Sequence, residues 1–167
     1  MTSGITVRLH RVLLASALLC TPSLSKAERS GVADLATCLR EAAEAHGLPP
    51  AALVLLYQNE GGSLGHVSRN GNGTVDIGPL QINQIWVGAI ARRWGLPADT
   101  TFRLLRDDFC SNAEAASWIL ATEVRHAGGD FWEGVGRYHS SRSDLKESYL
   151  TKIYGWVRRI QQSLDHG

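Results

Sequence analysis

Residues 61–79 most limit what this chain can fold into. On either side the sequence repeats apolar residues at helical spacing, but no helix runs through Gly61-Gly62, Asn70-Gly71 and Asn72-Gly73. Asn-Gly pairs favour tight turns, and Thr74-Val75-Asp76-Ile77 alternates in strand fashion. The expected architecture is therefore mainly α with a minor β component (α+β). A small β-hairpin or irregular lobe is inserted between helices.

The flanking segments give the helices. Ala33 to Ala45 places Leu35, Cys38, Leu39 and Ala42 on one face, with Gly47 as its stop. Pro49-Pro50 opens a second helix, since proline suits a first turn. Its run from Ala51 to Glu60 is apolar nearly all round, which predicts the buried central helix. Helix resumes over Ile82 to Trp94 and again near Thr101–Arg106. The next begins at a cap on Ser111 or Asn112 and ends at Gly128-Gly129. A short helix over Phe131 to Tyr138 and a polar loop, Ser140 to Ser143, precede the last one. That helix carries the stripe Leu150, Ile153, Tyr154, Val157, Ile160 and Leu164.

Ahead of these lies a segment of another kind. Arg8 and Arg11 precede the apolar run Val12 to Cys20, and Ser25-Lys26-Ala27 offers small residues at a cleavage site. Residues 1–27 thus read as a secretory signal peptide and 28–167 as one domain. Removing them takes away Arg8, Arg11 and Lys26 and no acid. This leaves 14 Lys and Arg against 16 Asp and Glu, a formal charge of −2. No basic surplus remains to attract nucleic acid. Two cysteines remain, Cys38 and Cys110; in an exported protein an even pair suggests a disulfide, the alternative being two buried thiols. No histidine stands at a ligand-like spacing from a cysteine or another histidine, so neither metal nor cofactor is expected.

Two carboxylates are candidates for chemistry. Glu60 closes the greasiest helix, where burial and the helix C-terminus both favour its protonated form. It is a proton donor if buried and an ordinary surface residue if not. Asp76 is either a partner carboxylate or a turn-stabilising aspartate. Gln81 and Asn83 have amides suited to sugar hydroxyl and N-acetyl groups, or to capping the following helix. Tyr138 and His139 end a helix that could reach the same cleft. The five tryptophans, at helical spacing among aliphatics, read as core more readily than as sugar platforms. His66, His126 and Arg92-Arg93 read as solvated surface. No phosphate-binding glycine loop and no Gly-x-Ser-x-Gly elbow is present.

The order Glu60-Gly61-Gly62, Asn72 to Asn83 (Asn-Gly-Thr-Val-Asp-Ile-Gly-Pro-Leu-Gln-Ile-Asn), Cys110-Ser111-Asn112, Trp118 to Ala121 and Tyr138-His139-Ser140 resembles the lysozyme-like lytic transglycosylases. It is most similar to the small ones that accompany conjugation, type III secretion and pilus systems. The resemblance spans Asp34 to Ile160 and implies a lysozyme-like fold. It implies Glu60 as the catalytic acid, a Gly-x-x-Gln motif on Gly78 to Gln81, and a Tyr138 that orients Glu60. It also implies a disulfide between Cys38 and Cys110. Three positions depart from the pattern: Gly61 stands for a serine, Leu80 for a methionine and His139 for an asparagine. The run around Asp76 is similar to that of animal-type lysozymes too, where the aspartate is the second carboxylate.

The resemblance implies a periplasmic enzyme acting on peptidoglycan glycan strands, with Glu60 and Asp76 catalytic and Gly78, Gln81, Asn83, Tyr138 and His139 binding substrate. A monomer without nucleic-acid partners is expected, serving a secretion, conjugation or pilus apparatus. The rival readings are a muramidase hydrolase using Glu60 and Asp76, and a non-enzymatic peptidoglycan-binding scaffold.

Overall fold

The computed structural model describes residues 26–165. The expected signal peptide falls almost wholly outside them. In chain order the elements are helices α1 (Lys26–Ala45) and α2 (Pro50–Glu60), then strands β1 (Val67–Arg69), β2 (Val75–Ile77) and β3 (Ile82–Asn83). A 3-10 turn at Gln84–Trp86 leads to α3 (Val87–Trp94), α4 (Ala98–Asp107), α5 (Phe109–His126), α6 (Phe131–His139) and α7 (Ser143–Asp165). The protein is mainly helical with one small antiparallel sheet, ordered β1-β2-β3. Among the described residues no helix is long and apolar enough to cross a membrane.

The central helix is α5, not α2 as expected. Ten of the 18 residues of α5 are buried, and α1, α2, α4 and α6 all pack on it. Ala113, Ala115, Ala116 and Ala121 keep its surface low enough for neighbours on several sides. On α2, Ala52, Leu53, Leu55 and Leu56 are buried, while Val54 is 37% exposed. An apolar helix can thus leave one greasy residue at the surface.

Local chemistry explains the other departures. α5 is capped by Asp108, whose side chain accepts from the Ser111 N–H at 2.7 Å, so neither Ser111 nor Asn112 is the cap. Helix does not resume at Ile82. Ile82 and Asn83 pair instead with Ile77 and Asp76 as a third strand, and the Asn83 side chain accepts from the Ile85 N–H to start the 3-10 turn. In α7 the buried residues are Tyr149 and Ile153, whereas Tyr154 and Ile160 of the expected stripe are 42% and 38% exposed. The Leu164 side chain lies outside the described residues.

Asn112, fully buried, joins the sheet to the helices. Its Oδ1 accepts from the Leu80 N–H at 2.9 Å, and its Nδ2 donates to the carbonyls of Leu105 (2.7 Å) and Ile77 (3.1 Å). A buried amide with three partners is fully satisfied and fixes the segment it holds. Glu114 does similar work at the far side, accepting from Trp94 Nε1 at 2.9 Å and contacting His46 Nε2 at 3.1 Å. Cys38 and Cys110 form a disulfide between α1 and the start of α5, their Cα atoms 5.1 Å apart.

Candidate active site

A groove of about 470 Å³ runs between the sheet and the α6–α7 corner, and Glu60 lines it. Gly61 ends α2 in the left-handed conformation at φ 62°, its N–H turned back to the Tyr57 carbonyl. The chain can therefore leave the helix directly after the carboxylate. Gly62 follows, and a Cβ there would strike the carbonyl oxygen of Gly78, Gln81 Nε2 at 2.6 Å and the Pro79 carbonyl at 2.8 Å. That close approach sets the end of α2 against the turn that carries Gln81.

The Glu60 carboxyl accepts a hydrogen bond from the Tyr149 hydroxyl at 2.6 Å. The residue keeps some exposure along the groove, but its carboxyl is packed closely enough that burial raises its pKa from 4.5 to about 7. The Tyr149 bond opposes this, the negative charge of Asp76 adds to it, and Lys152 weakly opposes it. Burial wins because desolvation penalises only the charged form, while the hydroxyl stabilises that form by one bond. The same burial, with Glu60 beside it, raises Tyr149, which stays a hydrogen-bond donor at any working pH.

Tyr149 was not among the residues singled out from sequence. The expected orienting residue, Tyr138, gives its hydroxyl to the Leu80 carbonyl at 2.9 Å instead. It lines the groove and ties α6 to the Gln81 turn, and its hydroxyl makes no hydrogen bond to Glu60. The missed signal was the position of Tyr149 four residues before Ile153, on the core face of α7.

The opposite wall is the sheet. Asp76 Oδ1 accepts from Asn83 Nδ2 at 2.8 Å, and the same nitrogen donates to Thr74 Oγ1 at 3.0 Å. Asn70 Nδ2 donates to Thr74 Oγ1, which itself donates to Asn72 Oδ1. Asn83 therefore lines the groove with its amide already committed to ordering the wall. Gln81 also lines the groove. It takes a left-handed φ of 49°, unusual for a residue with a side chain, and its Nε2 donates to the Gly78 carbonyl at 2.8 Å.

Gly78 is not a groove residue. At φ 68° it is buried, and a Cβ there would strike the Leu105 carbonyl and Asn112 Nδ2; it is glycine for packing. His139 does face the groove, its ring stacked on Tyr149 at 4.7 Å and 7°. Burial, then Lys152, lower the His139 pKa against the pull of Asp76, which favours the neutral ring. Of the tryptophans, Trp86 alone lines the groove, edge-on to Trp118.

The groove thus joins Glu60, Asp76, Gln81, Asn83, Tyr138 and His139 and leaves out Gly78, while Tyr149, buried and outside the lining, holds Glu60 and His139 from behind. Among the described residues no cluster of three or more His, Cys, Asp or Glu side chains could hold a metal ion. No protein-family model matches the chain, and no curated protein matches it.

Proposed function

We propose that this protein is a peptidoglycan lytic transglycosylase with a lysozyme-like fold. The observation that carries the reading is a carboxyl held protonated to about pH 7 in an open polar groove, with a buried tyrosine hydroxyl fixing its orientation. Such a group is an acid poised for an oxygen leaving group near neutrality. Facing it is a wall of side-chain amides and hydroxyls, the complement of N-acetylated sugars.

In this mechanism Glu60 gives its proton to the glycosidic oxygen between N-acetylmuramic acid and N-acetylglucosamine. The C1–O bond breaks through an oxocarbenium-like state. The Glu60 carboxylate then takes the proton of the muramic C6 hydroxyl, whose oxygen closes on C1 as a 1,6-anhydro ring, and the acid is restored. Tyr149 holds the carboxyl through both proton transfers, and holding it in place is a large part of the rate. Asp76, bound by Asn83, stabilises the cation from the wall. Glu60→Gln is expected to abolish release of anhydromuropeptides from purified sacculi while the fold is kept. Full activity in that variant would discard the mechanism.

The charge of Asp76, felt by Glu60, favours a second reading in which Asp76 attacks C1 and water completes a hydrolysis. Product mass separates the two, since the anhydro end is lighter by one water. A periplasmic location and a role in opening the wall for an envelope-spanning machine belong to the same proposal. It expects impaired assembly of that machine in a deletion strain.

A further inference from the structure

Uncharged sugar rings leave one feature of the groove without a purpose. Among the described residues Arg142 is its single lining Lys or Arg, and it stands on the bank opposite the amide wall. Arg142, Leu145, Tyr149 and Lys152 are spaced three, four and three apart, so they follow one face of α7. Arg142 already belongs to that helical register, because its carbonyl accepts from the Lys146 N–H at 2.9 Å. Its Nε and Nη2 are gripped by Asp144 at 3.2 and 2.7 Å, and its N–H is held by Ser140 Oγ at 3.2 Å. The guanidinium is thereby fixed on one edge while Nη1 is left to donate elsewhere. Lys152, two to three turns on, forms no ion pair among the described residues, yet its charge reaches both Glu60 and His139.

We infer that this bank of α7 reads the carboxylates of the peptide branches on muramic acid, with Arg142 and Lys152 as specificity-determining residues. This rests on the reading of the groove as a muramyl-glycan cleft. With the sugar rings laid against the amide wall, a branch leaving the strand on the other side meets a preset Arg donor edge and an unpaired ammonium. Charge-assisted bonds of this kind outweigh neutral ones, but exposure to water keeps each contribution small. The α7 bank therefore biases substrate choice and is not needed for cleavage itself.

The test compares kcat/KM for anhydro-end formation on glycan strands with intact peptides and on strands stripped by an amidase, which keep only the lactyl carboxylate. The wild-type chain is expected to prefer the peptide-bearing strand. Arg142→Gln should shrink that preference about fivefold, and Arg142→Gln with Lys152→Gln about tenfold, with added salt mimicking both. Loss of Lys152 also shifts Glu60 acidity, but this acts on both substrates and cancels in the ratio. A ratio unchanged in the variants, or equal losses on both strands, overturns the inference while leaving the transglycosylase reading intact. A wild-type protein that cuts neither strand removes that reading itself.

Discussion

Glu60 works against the fold that holds it. Its pKa is raised from 4.5 to about 7, so in the interval between these values the folded chain keeps a proton that the unfolded chain releases. Stability therefore falls as pH rises through that window and stays lower above it, by on the order of 3 kcal/mol. Glu60→Gln, which can still accept from Tyr149, is expected to melt at a higher temperature than wild type at pH 8. The two should converge near pH 4; equal melting curves at both pH values would mean the carboxyl is solvated. Tyr149 gives the matching kinetic test. Its hydrogen bond lowers the Glu60 pKa, so Tyr149→Phe should move the alkaline limb of the kcat/KM profile to higher pH. The rate below that limb should drop about tenfold or more as orientation is lost. A limb that stays in place would show that Tyr149 only packs. Sequence reasoning singled out Glu60 because helix periodicity and two glycines place a carboxyl at the end of an apolar helix. It missed the tyrosine because the contact spans 89 residues of chain, and no local pattern encodes such a distance.

Among elements, the turn between β2 and β3 is the most finely specified. Three separate devices aim it: Gly62 gives way to the Gly78 and Pro79 carbonyls, Gly78 gives way to Leu105 and Asn112, and Asn112 holds the Ile77 carbonyl and the Leu80 N–H. Truncating Asn112 to alanine leaves buried partners unmet and a void, at a cost of about 2–4 kcal/mol. Gly62→Ala pushes directly on the turn that carries Gln81. It is expected to reduce kcat/KM by about tenfold or more with a smaller loss of stability than Asn112→Ala, measured by urea unfolding beside activity. The reverse order would mean that the turn can shift without disturbing Glu60. The helix ends marked by Pro or Gly were legible because those signals are local, whereas α1 begins at Lys26, seven residues ahead of the expected Ala33, where no such signal stands. The strand at Ile82-Asn83 was not legible, since it exists only through pairing with Asp76 and Ile77 and reads as helix in isolation.

Across the whole molecule, the disulfide and the site divide the chain in an informative way. The 72-residue span between Cys38 and Cys110 holds α2, the sheet, α3 and α4, and so both Glu60 and the amide wall. Tyr138, Tyr149 and the α7 bank lie beyond it and close the groove by packing, α6 on α5 and α7 on α2 and α6, and by the hydrogen bonds of Tyr138 to Leu80 and Tyr149 to Glu60. Closing a loop of this length stabilises mainly by restricting the unfolded chain, by about 4 kcal/mol. The native contacts of Glu60 do not pass through the bond. The variant Cys38→Ser with Cys110→Ser is therefore expected to melt about 10 °C lower. Well below that temperature it should keep the wild-type alkaline limb near pH 7, because burial and Tyr149 set that limb. Calorimetry and a pH–rate profile on the same preparation check both halves. A displaced limb would mean that the Cys38–Cys110 bond holds the groove's geometry, through Asn112 two residues along α5, and does not merely restrain the unfolded chain.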